Sequence, residues 1–237
     1  MREGKFHFKR FSVSHHRSSM KIGVDAVLIG AWAQGDSPER ILDVGTGCGV
    51  IAMMMAQRYP GAEVTGIDID EASIQEAREN FRNSEMNERL EAEQIEFPKD
   101  IAQFGTTYDL IVSNPPYFDS GVTSPTTSRE KARHQSTLSM FSLIQHSRAL
   151  LTPKGRLSMI FPTEFRKKVM DEAVASGFSL IRECFVRDNE GVAEKRVMME
   201  FGLDKHIKPE EEHLTLFKDG NPTEAHRNLC GDFYLKF

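Results

Sequence analysis

The stretch Ile41-Leu-Asp-Val-Gly-Thr-Gly-Cys-Gly49 decides the fold. Its apolar half predicts a strand over Arg40–Val44, and the residues from its last glycine onward predict a helix over Gly49–Arg58. Glycine adopts backbone angles that other residues avoid, and it lets the chain approach a ligand closely. The stretch therefore predicts a strand–turn–helix unit whose turn binds a small molecule. The glycines expected to make this contact are Gly45, Gly47 and Gly49.

Strands and helices alternate through most of the chain. Further strands are predicted over Glu63–Ile69, Leu90–Ile95, Tyr108–Ser113 and Gly155–Phe161, and helices over Met20–Ala33, Glu71–Asn83, Leu138–Leu151 and Glu164–Ser176. Such alternation predicts a parallel sheet with helices on both faces. Two more strands, Phe178–Arg187 and Lys195–Gly202, have no helix between them and predict an antiparallel edge pair. The expected fold is α/β and Rossmann-like, with a seven-stranded, mostly parallel sheet.

The length and composition indicate one globular unit. No repeat, low-complexity tract or linker interrupts the 237 residues, so 1–237 is interpreted as a single domain, with 1–39 as a basic and helical extension packed on it. No apolar run approaches the roughly 18 residues that a membrane helix needs, and the N-terminus lacks the apolar core of a signal peptide. The expected location is the cytoplasm, without membrane contact.

The three cysteines are far apart in the sequence. Cys48, Cys184 and Cys230 show no C-x-x-C spacing, which argues against both a zinc ribbon and a disulfide framework. They are expected to be buried or half-buried thiols in a reducing compartment. No metal site is expected.

The acid before the glycine turn indicates what kind of ligand binds there. The spacing is G-x-G-x-G, whereas dinucleotide-binding turns follow G-x-G-x-x-G. Asp43 precedes the turn, and a carboxylate at that place suits a cationic amino group better than a pyrophosphate. Taken alone, a glycine-rich turn is a weak signal. A tight turn with a purely structural role is the competing interpretation.

Acidic residues also follow the next two predicted strands. Asp68 ends the second strand, where a carboxylate can accept hydrogen bonds from both hydroxyls of a ribose. Asp70 is the competing residue for this role, although it is also placed to cap the helix that begins near Glu71. Glu96 follows the third strand and is a candidate acceptor for the amine of an adenine ring. A solvated loop acid is the alternative for Glu96.

The motif Asn114-Pro-Pro-Tyr117 directly follows the fourth predicted strand. The exocyclic amine of adenine is a poor nucleophile because its lone pair is delocalised into the ring. The side-chain carbonyl of Asn114 and the backbone carbonyl of Pro115 can hold its N–H groups, and Pro116 restricts the direction of that backbone carbonyl. Tyr117 offers a flat face on which a displaced base can stack. The motif therefore predicts attack by a planar amine, and a plain turn is the alternative.

Positive charge is concentrated in two parts of the chain, although the formal net charge is −5. An acidic protein can still present a basic patch beside its active site. Contact with a nucleic-acid partner is predicted for five of these residues, and two solvated basic segments are the alternative. The five are Arg10 and Arg17 near the N-terminus, and Arg129, Lys131 and Arg133 after the Asn-Pro-Pro-Tyr motif.

Together these motifs resemble the class I methyltransferases that modify planar amines. The segments Phe6–Phe11, Met20–Trp32 and Ser113–Gly121 resemble more closely the bacterial tRNA1(Val) (adenine-37-N6)-methyltransferases, and length and motif order agree over essentially the whole chain. The resemblance implies S-adenosylmethionine as cofactor and methyl transfer to N6 of adenine 37 in the anticodon loop of tRNA1(Val). It also implies that Lys21 meets the cofactor carboxylate, that Asn114 contacts cofactor and target, and that Glu96 stands where aspartate is more usual.

Two other functions are compatible with the sequence. Release-factor glutamine N5-methyltransferases also carry Asn-Pro-Pro-Tyr, but they usually have a helical domain before the glycine motif, where this chain has only residues 1–40. A non-catalytic RNA-binding module is a third hypothesis, and the intact glycine turn argues against it. The predicted partner is therefore tRNA, and a monomer is favoured. The segment Leu214–Phe237 has no predicted role.

Overall fold

The computed structural model describes residues 4–18, 21–100, 104–116, 139–204 and 208–236. Within these ranges the helices are α1 (Val24–Trp32), α2 (Val50–Arg58), α3 (Glu71–Arg82), α4 (Met140–Leu150), α5 (Arg166–Ala175) and α6 (Glu224–Cys230). The strands are β1 (Lys5–His7), β2 (Ser12–Ser14), β3 (Arg40–Val44), β4 (Glu63–Asp68), β5 (Leu90–Gln94), β6 (Tyr108–Ser113), β7 (Leu151–Pro162), β8 (Ser179–Asn189), β9 (Arg196–Gly202), β10 (Glu210–Lys218) and β11 (Asn221–Pro222).

The predicted α/β fold with a mostly parallel sheet is confirmed. The main sheet has the order β11-β10-β8-β9-β7-β6-β3-β4-β5 in the described part of the chain. From β7 to β5 all neighbours are parallel, and β9 runs antiparallel to both β7 and β8. Strands β3 and β6 have the predicted bounds. The polar residues expected after successive strands therefore lie at one edge of the sheet.

The expected strand count of seven was wrong, because the main sheet has nine strands within the described ranges. Strand β10 pairs parallel with β8, and the short β11 pairs antiparallel with β10. The antiparallel pair β8–β9 therefore lies inside the sheet instead of at its edge. Only Leu214 and Leu216 of β10 are buried, and an acidic run precedes them, so the sequence pattern of this strand is weak.

Two element boundaries differ from prediction by about four residues, each for a local reason. Helix α1 begins at Val24 instead of Met20 because Gly23 is extended, with φ −101° and ψ 163°. Strand β7 begins at Leu151 instead of Gly155 because a bulge, at which the register with β6 shifts, accommodates the residues between them. A bulge inserts unpaired residues without ending a strand.

Apolar side chains fill both faces of the sheet. One cluster lies on the side of α1, α2 and α3, and the other lies on the side of α4 and α5. Helices α1 and α2 pack closely at Gly30, where an added β-carbon would lie 2.6 Å from Sδ of Met54. Met54 is 0% exposed, and burying a side chain of this size contributes roughly 1.5–3 kcal/mol. This packing holds α2, which begins at the glycine turn.

The C-terminal segment holds the hairpin formed by β1 and β2. The backbone N–H of Lys9 donates to the carbonyl of Phe233 at 2.9 Å, and the Lys9 ammonium group donates to the carbonyl of Gly231 at 2.6 Å. The rings of Phe8 and Tyr234 stack with their centroids 6.4 Å apart. The segment without a predicted role thus anchors the N-terminal hairpin.

The three cysteines are buried free thiols, as predicted. Among the described helices, none combines the length and the apolar character that crossing a membrane requires.

Candidate active site

Three neighbouring parallel strands end at the same level of the sheet. Ile67 of β4, Val44 of β3 and Ser113 of β6 are in register, and neighbouring strands are about 4.8 Å apart. The hydroxyl of Ser113 donates to the carbonyl of Val44 at 2.7 Å, which holds the ends of β3 and β6 together. The residues that follow are Asp68, Gly45 and Asn114. The structure therefore brings together three of the predicted site elements.

The glycine turn is closed by backbone hydrogen bonds. The N–H groups of Gly45 and Thr46 both donate to the carbonyl of Ile67 at 2.9 Å. The φ angles of Gly45, Gly47 and Gly49 are 76°, 54° and 86°, in the left-handed region that favours glycine. Gly49 is also the N-cap of α2. The three glycines therefore allow both the tight turn and the start of the helix.

Gly49→Ala is expected to destabilise the protein by about 2–5 kcal/mol. A β-carbon at Gly49 would lie 2.4 Å from Cε1 of Phe81, and the left-handed backbone adds strain for an L side chain. Gly47→Ala is the matched control, because its β-carbon would have no atom within 4 Å, and only the strain of about 1–2 kcal/mol remains. Chemical denaturation measures both losses. Equal losses would contradict the predicted clash.

Asp43 lies beneath the glycine turn and is 0% exposed. Its Oδ2 accepts hydrogen bonds from Oγ1 of Thr46 at 2.6 Å and from the N–H of Ala52 at 3.1 Å. Burial raises the pKa of Asp43 to about 7, although both hydrogen bonds oppose the increase. Within the described ranges, its Oδ1 has no hydrogen-bond partner. Asp43 orders the turn with one oxygen and retains an acceptor that fits a cationic ligand group.

Asp68 contacts the glycine turn, whereas Asp70 caps the next helix. Asp68 accepts hydrogen bonds from the N–H of Gly47 at 2.9 Å and from the N–H of Asp70 at 3.0 Å. Burial raises the pKa of Asp68, and these backbone bonds oppose the increase. Asp70 accepts from the N–H and hydroxyl of Ser73 at 3.0 and 2.6 Å, which starts α3. This capping contact supports Asp68 as the ribose acceptor, a role that stays a prediction.

Glu96 lies in the loop after β5. The N–H of Ile95 donates to the carbonyl of Asp68 at 3.0 Å, which places the start of this loop beside the end of β4. The carboxylate of Glu96 is paired with Lys99, whose Nζ lies 2.9 Å from Oε2. A contact between Glu96 and an adenine amine would compete with this ion pair, and it stays a prediction.

Asn114 and Pro115 directly follow the end of β6. Asn114 is half-buried and Pro115 is buried, so a carboxamide and a rigid backbone segment stand at the edge that holds the glycine turn. Tyr117 lies outside the described residues, and its stacking role stays a prediction. In the part of the chain that the structure describes, no group of three or more His, Cys, Asp or Glu side chains is placed to hold a metal ion.

One known protein family matches the part of the chain that carries these residues. The model of the methyltransferase small domain matches residues 26–183, a range that contains the glycine turn, Asp68 and Asn114. The chain belongs to this family.

Curated relatives match this methyltransferase over nearly its whole length. A tRNA1(Val) (adenine(37)-N6)-methyltransferase from Parabacteroides distasonis is 40% identical over 98% of this chain and 98% of its own. A protein of the same name from Vibrio vulnificus is 37% identical over 98% of this chain and 95% of its own. The family resemblance that the motifs predicted is therefore confirmed.

Solved structures confirm the methyltransferase fold. A predicted O-methyltransferase from Agrobacterium tumefaciens is similar with a TM-score of 0.69 at 19% identity, over 88% of this chain and 96% of that chain. The ribosomal protein L11 methylase from Lactobacillus delbrueckii subsp. bulgaricus has a TM-score of 0.51 at 18% identity, over 75% and 76% of the two chains. Family and fold together identify S-adenosylmethionine as the cofactor of the methyltransferase, as predicted.

Lys21 lies shortly before α1, whose first turn lies at the carboxyl edge of the sheet. The first turn of α1 is held at this edge by Asp25, whose Oδ1 lies 3.1 Å from Nε of Arg196. Arg196 is in register with Pro162 at the end of β7. Lys21 itself is exposed. Its contact with the cofactor carboxylate stays a prediction.

The two arginines predicted to bind RNA near the N-terminus lie in different places. The guanidinium of Arg17 lies over α3, where its Nη1 is 2.7 Å from Oε1 of Glu79. Arg10 lines a cavity of about 620 Å³ together with residues at the C-terminal end of α2, the end opposite the glycine turn. The structure therefore does not bring Arg10 to the edge that holds Asn114. Arg129, Lys131 and Arg133 lie outside the described residues.

Two buried polar residues of α3 have contacts that the sequence motifs did not predict. Glu76 and Asn80 are 0% and 3% exposed. They recur at the i, i+4 spacing beside the apolar residues Ile74, Ala77 and Phe81, and polar side chains in such positions are normally hydrogen-bonded. Helical periodicity could have identified them as buried. It could not have identified their partners, which lie far away in the sequence.

Proposed function

We propose that this methyltransferase transfers the methyl group of S-adenosylmethionine to the N6 amine of adenine 37 in tRNA1(Val). The observation that carries the proposal is the match of relatives named for this reaction over 98% of the chain, at 40% and 37% identity. That match includes most of the segment before the glycine turn. Release-factor glutamine methyltransferases usually have a helical domain there instead. Glutamine methylation is therefore not favoured.

In this proposal the cofactor is held at the carboxyl edge of the sheet, and when bound it supplies an electrophilic methyl group. Asp43 and Lys21 take the amino and carboxylate groups of its methionine part, and Asp68 takes the ribose hydroxyls. The free Oδ1 of Asp43 supports the first of these roles. The residues assigned to the cofactor are Lys21, Asp43, Gly45, Gly47, Gly49, Asp68, Glu96 and Asn114.

The target adenine is held by the residues after β6. The side-chain carbonyl of Asn114 and the backbone carbonyl of Pro115 accept hydrogen bonds from the amine, and Tyr117 stacks on the base. Holding both N–H groups favours the pyramidal nitrogen that attack requires. Because the attacking amine is neutral, no general base is needed until the product sheds its proton.

We further propose that the whole chain, 1–237, acts as one domain in the cytoplasm. It acts as a monomer and without a metal ion. Its partner is tRNA. Displacing a base from the anticodon loop requires little free energy, because loop bases are already partly unpaired.

A methylation assay with the purified protein and S-adenosylmethionine tests the substrate. Mass spectrometry of nucleosides is expected to show one N6-methyladenine in an unmodified tRNA1(Val) transcript and none in a transcript with guanine at position 37. Methylation of a release factor, without methylation of tRNA, would overturn the proposal. Methylation of the guanine-37 transcript would move the target to another adenine.

The double variant Arg129→Ala/Arg133→Ala is expected to bind tRNA more weakly, with a flatter dependence on salt. Each lost phosphate contact lowers the slope of log affinity against log salt by about 0.7 on single strands. Between about 50 and 200 mM salt the wild type should therefore lose about sevenfold more affinity than the variant. Lys167→Ala/Lys168→Ala removes the same charge from the exposed side of α5 and serves as control. Identical slopes in all three proteins would indicate that the two arginines do not contact RNA.

A further inference from the structure

The carboxylate of Glu76 binds the backbone of a segment far away in the sequence. Its Oε1 accepts hydrogen bonds from the N–H groups of His16 at 2.8 Å and Arg17 at 3.0 Å, and its Oε2 accepts from the N–H of Ser18 at 2.8 Å. Three successive N–H groups turned toward one anion form a backbone nest. Burial alone would raise the pKa of Glu76, but these bonds outweigh it and keep the pKa below its ordinary value.

Asn80, one helical turn later, joins the same segment to the glycine turn. Its Oδ1 accepts from the N–H of Ser14 at 2.9 Å, and its Nδ2 donates to the carbonyl of Ser14 at 2.9 Å. The same Nδ2 donates to the carbonyl of Cys48, within the glycine turn, at 2.8 Å. One buried side chain therefore sets the distance between residues 12–18, here called the N-terminal strap, and the cofactor-binding turn.

The strap leads directly to the segment before α1. Two residues separate Ser18 from Lys21, and a chain of this length spans at most about 11 Å. Holding Ser18 therefore limits where Lys21 can lie. Helix α3, which carries Glu76 and Asn80, itself begins just after Asp68. Helix α3 thus contacts both the strap and the glycine turn, and it follows directly after Asp68, the proposed ribose acceptor.

We infer that Glu76 and Asn80 are positioning residues for the cofactor: they hold the N-terminal strap against α3 and the glycine turn, and thereby place Lys21 near the methionine end of S-adenosylmethionine. The inference rests on the cofactor contacts proposed above and is independent of the RNA substrate. Without these bonds the strap opens more often, and the cofactor must restrain it on binding, which weakens its affinity.

Two conservative variants test the inference. Glu76→Gln keeps the size of the side chain but turns an NH₂ group toward one of the strap N–H groups, and Asn80→Asp keeps the acceptor for Ser14 while losing both donated bonds. Losing one hydrogen bond to a charged group, as at Glu76, or two neutral hydrogen bonds, as at Asn80, changes an equilibrium by roughly tenfold or more. Calorimetry is therefore expected to show S-adenosylmethionine bound about tenfold more weakly by each variant. KM for the cofactor should rise, with kcat at saturating cofactor near the wild-type value.

Opening of the strap is measured separately by limited digestion with trypsin, which cuts after Arg17. Both variants are expected to be cut there about tenfold faster than the wild type in the absence of cofactor. Glu79→Gln is the matched control, because it also removes a carboxylate bound to the strap, but one that is exposed and pairs with Arg17 at the surface. Its cofactor affinity should stay within about twofold of the wild type.

Several outcomes would overturn the inference. Folded variants that bind S-adenosylmethionine like the wild type, even with faster cleavage, would show that the strap has only a structural role. If both variants fail to fold, hydrogen exchange on the wild type decides, because the amides of residues 16–18 should exchange more slowly when cofactor is added, and unchanged exchange would contradict positioning. Failure of the wild type itself to bind S-adenosylmethionine would instead refute the proposed function.

Discussion

Replacing Asn114 with alanine is expected to lower the turnover number about 10²–10³-fold, the usual effect of losing one preorganised polar partner of a transition state. Positive charge develops on the target nitrogen as it attacks, and the carbonyl oxygen of Asn114 is proposed to accept one of its N–H groups. The side chain stands directly after β6, whose end is fixed to β3 by the bond from Ser113 to Val44. The backbone that carries the acceptor is therefore fixed before the substrate arrives.

Single-turnover kinetics with saturating cofactor and tRNA1(Val) measure this loss, and calorimetry checks that cofactor affinity changes little. The matched control is Asn83→Ala, which removes a carboxamide whose Nδ2 donates to the carbonyl of Glu79 at the far end of α3, and its rate should equal that of the wild type. A near wild-type rate for Asn114→Ala would show that the Asn-Pro-Pro-Tyr motif is a structural turn. The proposed mechanism would then be wrong.

Asp68→Ala is expected to weaken S-adenosylmethionine binding roughly 10- to 100-fold, which corresponds to about 1.5–3 kcal/mol for a carboxylate that accepts from two hydroxyls. The same variant also removes the bond from the N–H of Gly47 to Oδ2 of Asp68, so part of the loss arises from a looser glycine turn. Cofactor analogues that lack a ribose hydroxyl separate the two contributions. The wild type should bind these analogues more weakly than S-adenosylmethionine. Asp68→Ala should bind both with equal affinity, because the carboxylate that contacts the hydroxyls is already absent.

Asp70→Ala is the control for this measurement. It should destabilise the protein by about 0.5–2 kcal/mol, because the cap of α3 is lost, while cofactor affinity stays close to that of the wild type. If Asp70→Ala weakens the cofactor and Asp68→Ala does not, the ribose contact belongs to Asp70.

The sequence alone determined the fold class and most of the edge at which the site lies. The bounds of β3 and β6 were predicted correctly, and the motifs after them place Gly45 and Asn114 at one edge. These predictions succeed because glycine conformations and runs of apolar residues are local properties of the chain. The carboxyl ends of neighbouring parallel strands lie at the same edge of a sheet, so the residues that follow these strands lie close together.

Only the tertiary structure decided which distant residues touch. It buried Asp43 beneath the glycine turn, brought Glu76 and Asn80 to the N-terminal strap, and placed Arg10 at the far end of α2. It also added β10 to the sheet through pairing with β8. No short-range sequence pattern encodes these contacts. A buried carboxylate or an unpaired strand edge requires hydrogen-bond partners, but the local sequence does not determine which residues supply them. Which partners it finds depends on how the whole chain packs.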